Sequence, residues 1–421
     1  MTVRRLPVRP DLEQLKLEAK ELLRAFQAGD QAAIEDFTTF HAEPVSAASA
    51  QLADAQLVLA RSYEAPNWPR VVQACQLVDA IWRDDTDTVR SLVTRHPHML
   101  EEPALIRKSN WGPPLSYAAN LGRDRIVALL HRLGATDLEH AMGRAVLQGK
   151  VATAKKLYYL MEPAPSLDDA LGGPAYTLNV PGTALIFELG GRVRNDEGKV
   201  LAPVDVVLES DSRKPAAKHE ILEMYARHGL ELPDTPTMAL HRGRIDLLEQ
   251  HLQRDPGLLG RRFSHAEIYP PELGCHDEVL ATHGTPLAGA TLLHMCVDYD
   301  EMAIARWLLE KGMKVDAKAA VDRDGFGGHT ALFATVVSQP NFWMNHNRLA
   351  SVAPFTRLLL DHGADPNALA SLRKQLHPGY GPDVLREYRN ITPLSWGERF
   401  HGRAWVSEAA MKMIAEAGGK I

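Results

Sequence analysis

One short pattern recurs along the chain: a helix of small residues, a glycine beside arginine or lysine, and a second helix rich in Ile, Val and Leu. It is written as AANLGRDRIVALLHRLGA (118–135), AVLQGKVATAKKLYYL (145–160) and ALHRGRIDLLEQHL (239–252). A helix pair this short cannot bury its apolar side alone, so a chain that repeats it must stack the copies against one another. A looser copy, IWRDDTDTVRSLVTRHPHML (81–100), shares its ending with IDLLEQHLQRDPGLL (245–259): a basic residue, a proline, then an apolar pair.

The second helices end alike, with Gly134, Gly229, Gly312, Gly363 and Gly418 each just past an apolar run. Glycine suits that place because the residue after a helix often turns left-handed, which costs other residues energy. Start signals recur too, as GPPLSYAA, GTALIFEL, ATLLHMCV, HTALFATV and ITPLSWGE. With LLLDHGADPNA at 358–368 and the tetrapeptides Thr291-Leu292-Leu293-His294 and Thr392-Pro393-Leu394-Ser395, the sequence resembles ankyrin-repeat proteins, whose unit of about 33 residues pairs two antiparallel helices with a finger. The resemblance implies an all-α ankyrin-repeat solenoid.

The spacing departs from that family. The opening threonines Thr291, Thr330 and Thr392 stand 39 and 62 residues apart, so long fingers are inserted. The excess falls near 173–218, 260–286, 338–354 and 368–390, and should lie along the finger side of the array, residues 76–421. Ahead of it, residues 1–75 read as a small helical cap. Asp11 stands where an N-cap belongs, with Gln14 three residues on, and Leu12, Leu15, Ala19, Leu22, Leu23 and Phe26 recur at helical spacing until Gly29. Further cap helices follow in DAQLVLARSY and PRVVQACQLVDAIW. A cap followed by an irregular array also resembles a bacterial group of ankyrin-repeat proteins, which supplies no activity to carry over.

Composition excludes several classes. A net charge of −6 offers no general attraction for nucleic acid or anionic lipid, so neither is expected as a partner. Three cysteines make no disulfide framework, and the charged start is followed by no apolar segment of signal type. No stretch approaches the roughly 18 apolar residues of a membrane span. The expectation is a cytoplasmic protein without a cofactor. GFGGHT (325–330) lacks the last glycine of a dinucleotide loop and the lysine of a P-loop, so it reads as a turn into a repeat. No G-x-S-x-G elbow appears, and Cys75 sits on an apolar helical face as core. No catalytic residue is expected.

The stretch from His265 to His294 holds every common zinc-ligand type in His265, Glu267, Cys275, His276, Asp277 and His283. It lacks the close spacing of a C-x-x-C pair or an H-E-x-x-H helix, and a partly packed finger bearing Tyr269-Pro270-Pro271 accounts for it better. The family resemblance gives His294 a structural role, bonding backbone between neighbouring repeats, and His362 can bond helix-terminal carbonyls. The function expected is therefore a protein-interaction module gripping a protein or peptide through its concave face and fingers. The residues expected to meet the partner are Trp111, His265, Glu267, Tyr269, His276, His283, His329, Trp343, His346, Tyr380, Arg389 and Trp396. The alternative is a small-ligand or metal site, possibly catalytic, built from the histidine-rich insertions. Arg373, Lys374, His377, Arg386, Arg389, Arg399, His401 and Arg403 make the last insertion locally basic.

Overall fold

The structure is a computed structural model that describes residues 4–41, 43–210, 213–276, 284–338, 351–375 and 384–421. Two compact units divide the chain, residues 1–173 and 174–421. Both are built of helix pairs, as the repeated pattern requires. Among the described residues no helix is long and apolar enough to cross a membrane.

The first unit opens with α1 (Leu12–Gln27), α2 (Gln31–Phe40), α3 (Leu52–Ser62) and α4 (Trp68–Trp82). Asp11 caps α1 by accepting from the backbone N–H groups of Glu13 and Gln14. The predicted stripe of α1 faces inward: Leu15, Ala19, Leu22 and Phe26 join Phe37, Val58, Leu59, Val71 and Cys75 in one core. Phe26 stacks on Phe37 with ring centres 3.8 Å apart. Each such buried side chain stabilises by about 1.5–3 kcal/mol relative to exposure. Helix α2 is not among the helices that the sequence pattern predicts. Asp30, whose side chain accepts from the N–H of Ala33, is the cap that marks it.

From α4 onward the unit repeats: α5 (Thr86–Arg95), then α6 (Pro114–Leu121) with α7 (Asp124–Arg132), and α8 (Leu138–Leu147) with α9 (Val151–Leu160). A short helix, α10 (Gly172–Tyr176), carries the chain into the second unit. There follow α11 (Val180–Glu188), α12 (Val204–Leu208), α13 (Pro215–Arg227), α14 (Pro236–His241), α15 (Ile245–Arg254), α16 (His265–Ile268), α17 (Leu292–Tyr299), α18 (Met302–Glu310), α19 (Ala331–Val336) and α20 (Pro354–Asp361). The chain closes with a hairpin, β1 (Ala370–Lys374) against β2 (Arg386–Ile391), then α21 (Pro393–Arg399) and α22 (Glu408–Glu416).

The helix-ending glycines all have left-handed backbone, from φ 83° at Gly363 to φ 104° at Gly134. Between α17 and α18 the same turn is made by Asp300 at φ 63°, one of the residues that tolerates it. Thr291, Thr330 and Thr392 are the N-caps of α17, α19 and α21, as the start signals predict. GTALIFEL is a correction. Its helix begins three residues before Thr183, at Val180, because Asn179 caps it by accepting from the N–H of Gly182 and Pro181 stands in its first turn.

Candidate functional site

The finger segments of the second unit are tied to one another by main-chain hydrogen bonds. The N–H of Phe263 donates to Ala290 O and that of Gly289 to Phe263 O, each at 2.8 Å. Ala320 N–H donates to Gly289 O at 2.8 Å, and Ala319 N–H to His329 O at 2.9 Å. Gly327 and Ser371 exchange both bonds, at 2.6 and 3.2 Å, and Ser371 belongs to β1. Segments of three successive fingers thus form one short-runged ladder, which satisfies backbone groups that stacked helices leave open.

Gly327 is the tightest point of this ladder. Its φ is +119°, and a Cβ there would lie 1.9 Å from the carbonyl oxygen of Ala320. Gly327→Ala should therefore destabilise the second unit by about 2 kcal/mol, from strain plus the displaced rung. A thermal melt of the two proteins side by side checks this, and an unchanged midpoint would contradict the ladder's geometry.

Between the fingers runs a groove of about 660 Å³. Its floor and walls include Phe263, Pro286, Ala288, Ala320, Val321, Phe326 and Leu372, and its polar rim Arg262, His265, Glu267, Asp322 and Arg373. Val321 stands out from the wall, 61% exposed. A smaller pocket of about 250 Å³, lined by Asp234, His251, Arg254 and Arg261, shares Phe263 and Glu267 with it. The rim is held by charge. Arg373 pairs with Asp322 at 2.8 Å and Asp324 at 3.1 Å, and the backbone N–H of Phe326 holds the Asp322 carboxyl below the usual range. The Phe326 ring lies 5.0 Å from the Arg373 guanidinium and 4.2 Å from that of Arg389.

His265 and Glu267 belong to α16, whose start is a reciprocal capping box between Ser264 and Glu267. Burial works against charge on Glu267, but hydrogen bonds from Ser264 and the 2.7 Å pair with Arg261 bring its carboxyl below the usual range. His329 lines the groove from beneath and is 1% exposed. Its Nε2 donates to Pro286 O at 2.9 Å, and burial pulls its pKa down to about 3.

The other sequence-chosen residues fall elsewhere. Tyr269 is 1% exposed, enclosed with His241, His265 and Tyr299, so it packs the interior instead of presenting an aromatic surface. Trp396 is wholly buried: its Nε1 donates to Thr285 Oγ1 at 3.0 Å and its ring meets Tyr388 and Phe400, a satellite core under the hairpin. His276 turns away to Glu209, which accepts from its Nδ1 at 2.6 Å and its backbone N–H at 2.7 Å. Arg389 sits on β2 against Phe326, and Trp111 lies in the first unit beside Tyr117. His283, Trp343, His346 and Tyr380 lie outside the described residues.

Cys275 has its thiol pushed up to about 12 by burial, with Glu209 and Asp205 adding to it, so it is a poor thiolate donor. Among the described residues no group of three or more His, Cys, Asp or Glu could hold a metal ion. Most of the groove lining was not singled out from the sequence, Arg262, Phe263, Val321, Asp322 and Phe326 among it. Phe326 lies in the segment legible only as a turn and Val321 just before it, and nothing in the local pattern says that one is exposed while the other is clasped by two guanidinium groups.

Capped helix pairs, left-handed turn residues and hydrogen-bonded fingers define a mostly helical protein built of stacked helix pairs. No protein-family model matches the chain, and no curated protein matches it. Among solved structures the chain is similar to the human ASB11 ankyrin repeat domain, at 14% sequence identity and a TM-score of 0.27, over 73% of this chain and 99% of that one.

Proposed function

We propose that this chain is a protein-interaction module whose second unit takes an extended partner segment in the finger groove. The observation that carries the reading is the groove itself: an apolar floor, a charged rim and an exposed valine, held by main-chain bonds instead of by mobile side chains. Pre-organised walls of this kind reduce the ordering cost of binding, and a volume of several hundred Å³ accommodates a few side chains. Opposed charges along the rim, Arg262 and Arg373 against Glu267 and Asp322, would fix register more than add affinity. The three cysteines are free, two of them buried, which suits a reducing compartment such as the cytoplasm.

A displayed peptide library selected on the full chain and on Val321→Asp tests this. Val321 is exposed, so the variant should fold normally. The expected result is a set of related sequences enriched by the wild type that bind the variant at least tenfold more weakly. Failure to enrich any sequence sensitive to Val321 would remove the groove from the proposal.

A further inference from the structure

The first unit carries an arginine that forms no ion pair among the described residues. Arg144 lies on α8 and is 8% exposed. Its Nε donates to Asn120 Oδ1 at 3.0 Å, a neutral acceptor that orients the guanidinium without neutralising it. Among the described residues no carboxylate forms an ion pair with it, and burial alone acts on its titration, lowering it. Asp137, at the start of the same helix, is committed to Ser116, from which it accepts both the backbone N–H and the hydroxyl.

The guanidinium is also presented. Its carbon lies 5.8 Å from the centre of the Trp111 ring. That ring is held in turn against Tyr117, 4.8 Å away, whose hydroxyl accepts from Trp82 Nε1 at 2.7 Å and donates to Val8 O. Stem and plane are fixed by the indole and the amide, while among the described residues no hydrogen bond uses the two terminal amino groups. Leaving a buried guanidinium without a counter-charge is costly, whereas a preformed planar fork is what a two-oxygen anion recognises.

We propose that Arg144 and Trp111 form a carboxylate-binding subsite in the first unit, which takes an Asp or Glu side chain of a protein partner. A single guanidinium matches a monoanion, and a chain of net charge −6 disfavours polyanions such as nucleic acid. The subsite is built from first-unit residues alone and holds whether or not the finger groove takes a peptide.

The test uses the full chain labelled with 15N-arginine. The Nε–H of Arg144, sheltered by its bond to Asn120, is identified by its loss in Arg144→Lys. The wild type is then titrated with N-acetyl-glutamate amide, N-acetyl-glutamine amide and inorganic phosphate. The proposal expects a saturating shift of the Arg144 signal with the glutamate compound, at least tenfold weaker binding of the glutamine compound, and severalfold weaker glutamate binding in Trp111→Ala. No shift, or an equal response to both amides, overturns the subsite. Tighter binding of phosphate than of the glutamate compound overturns its assignment to carboxylates.

Discussion

Glu301→Ala is expected to destabilise the second unit by about 3–5 kcal/mol at pH 7, the usual cost of stranding one member of a buried ion pair. Glu301 is 4% exposed and accepts from His219 Nε2 at 2.8 Å, while Lys218 Nζ, on a side chain itself 5% exposed, stands 3.4 Å from the same oxygen. The ammonium also lies 4.1 Å above the Tyr299 ring, and beside it Arg213 pairs with the buried Asp298 at 3.1 Å. Two cations and two carboxylates therefore balance within one interior cluster. Burial lowers the Lys218 pKa although Glu301 raises it, so without the carboxylate the amine is driven further toward its neutral form. A folded-state lysine pKa below the unfolded value of about 10.4 means that stability rises with pH. The Glu301→Ala penalty, read as the shift in urea midpoint, should thus shrink as pH rises from 7 toward 10. The double change Lys218→Met with Glu301→Leu should recover most of the loss, since removing both charges avoids stranding either. A penalty below 1 kcal/mol, or one that grows with pH, would show that Lys218 is hydrated in solution.

That cluster was invisible in the sequence because lysine and glutamate on a helix read as a solvated face, and AAKHEILEMYAR has no feature that singles out Lys218. What decides its burial is the stacking of α13 against the turn after α17, a long-range contact. Features fixed locally were legible. Thr291 and His294 announce a helix start, and the histidine does bond backbone as the family resemblance implies, through Nε2 to His329 O. His362 Nδ1 bonds Leu358 O at 2.8 Å, as its place before Gly363 suggested. The hairpin of β1 and β2 was missed because ASLRK and REYRNI are short and polar, and only pairing with each other and with Gly327 makes them strands. The groove was half legible: the insertions predicted long fingers, but which of their side chains face one another depends on rungs such as Gly327 to Ser371.

Acid should unfold the second unit through the same motif histidines. In the folded chain His294 accepts from Thr291 Oγ1 at 2.9 Å through Nδ1 and donates to His329 O at 3.0 Å through Nε2, which fixes its neutral tautomer. The His329 ring stands 5.2 Å away, itself bonded to Pro286 O. Burial brings His294 down to about 4 and, with His294 as neighbour, His329 down to about 3, both from an ordinary value near 6.5. Because the folded values are depressed, the stability these rings contribute is fully present above pH 6.5 and is lost as pH falls toward 4 and then 3. Over that window each histidine costs about 1.4 kcal/mol per pH unit. Protonating His294 would also turn Nδ1 from acceptor into donor against the Thr291 hydroxyl, so the charge and the hydrogen-bond pattern oppose it together. Carboxylates titrate over the same range, and His294→Gln separates the two contributions. The variant should be less stable than the wild type at pH 7, yet its urea midpoint should fall less steeply between pH 6 and 4.5, by the share of one histidine. Parallel slopes in the two proteins would mean that His294 takes up its proton without penalty, and that the enclosed seam between these two repeats admits water.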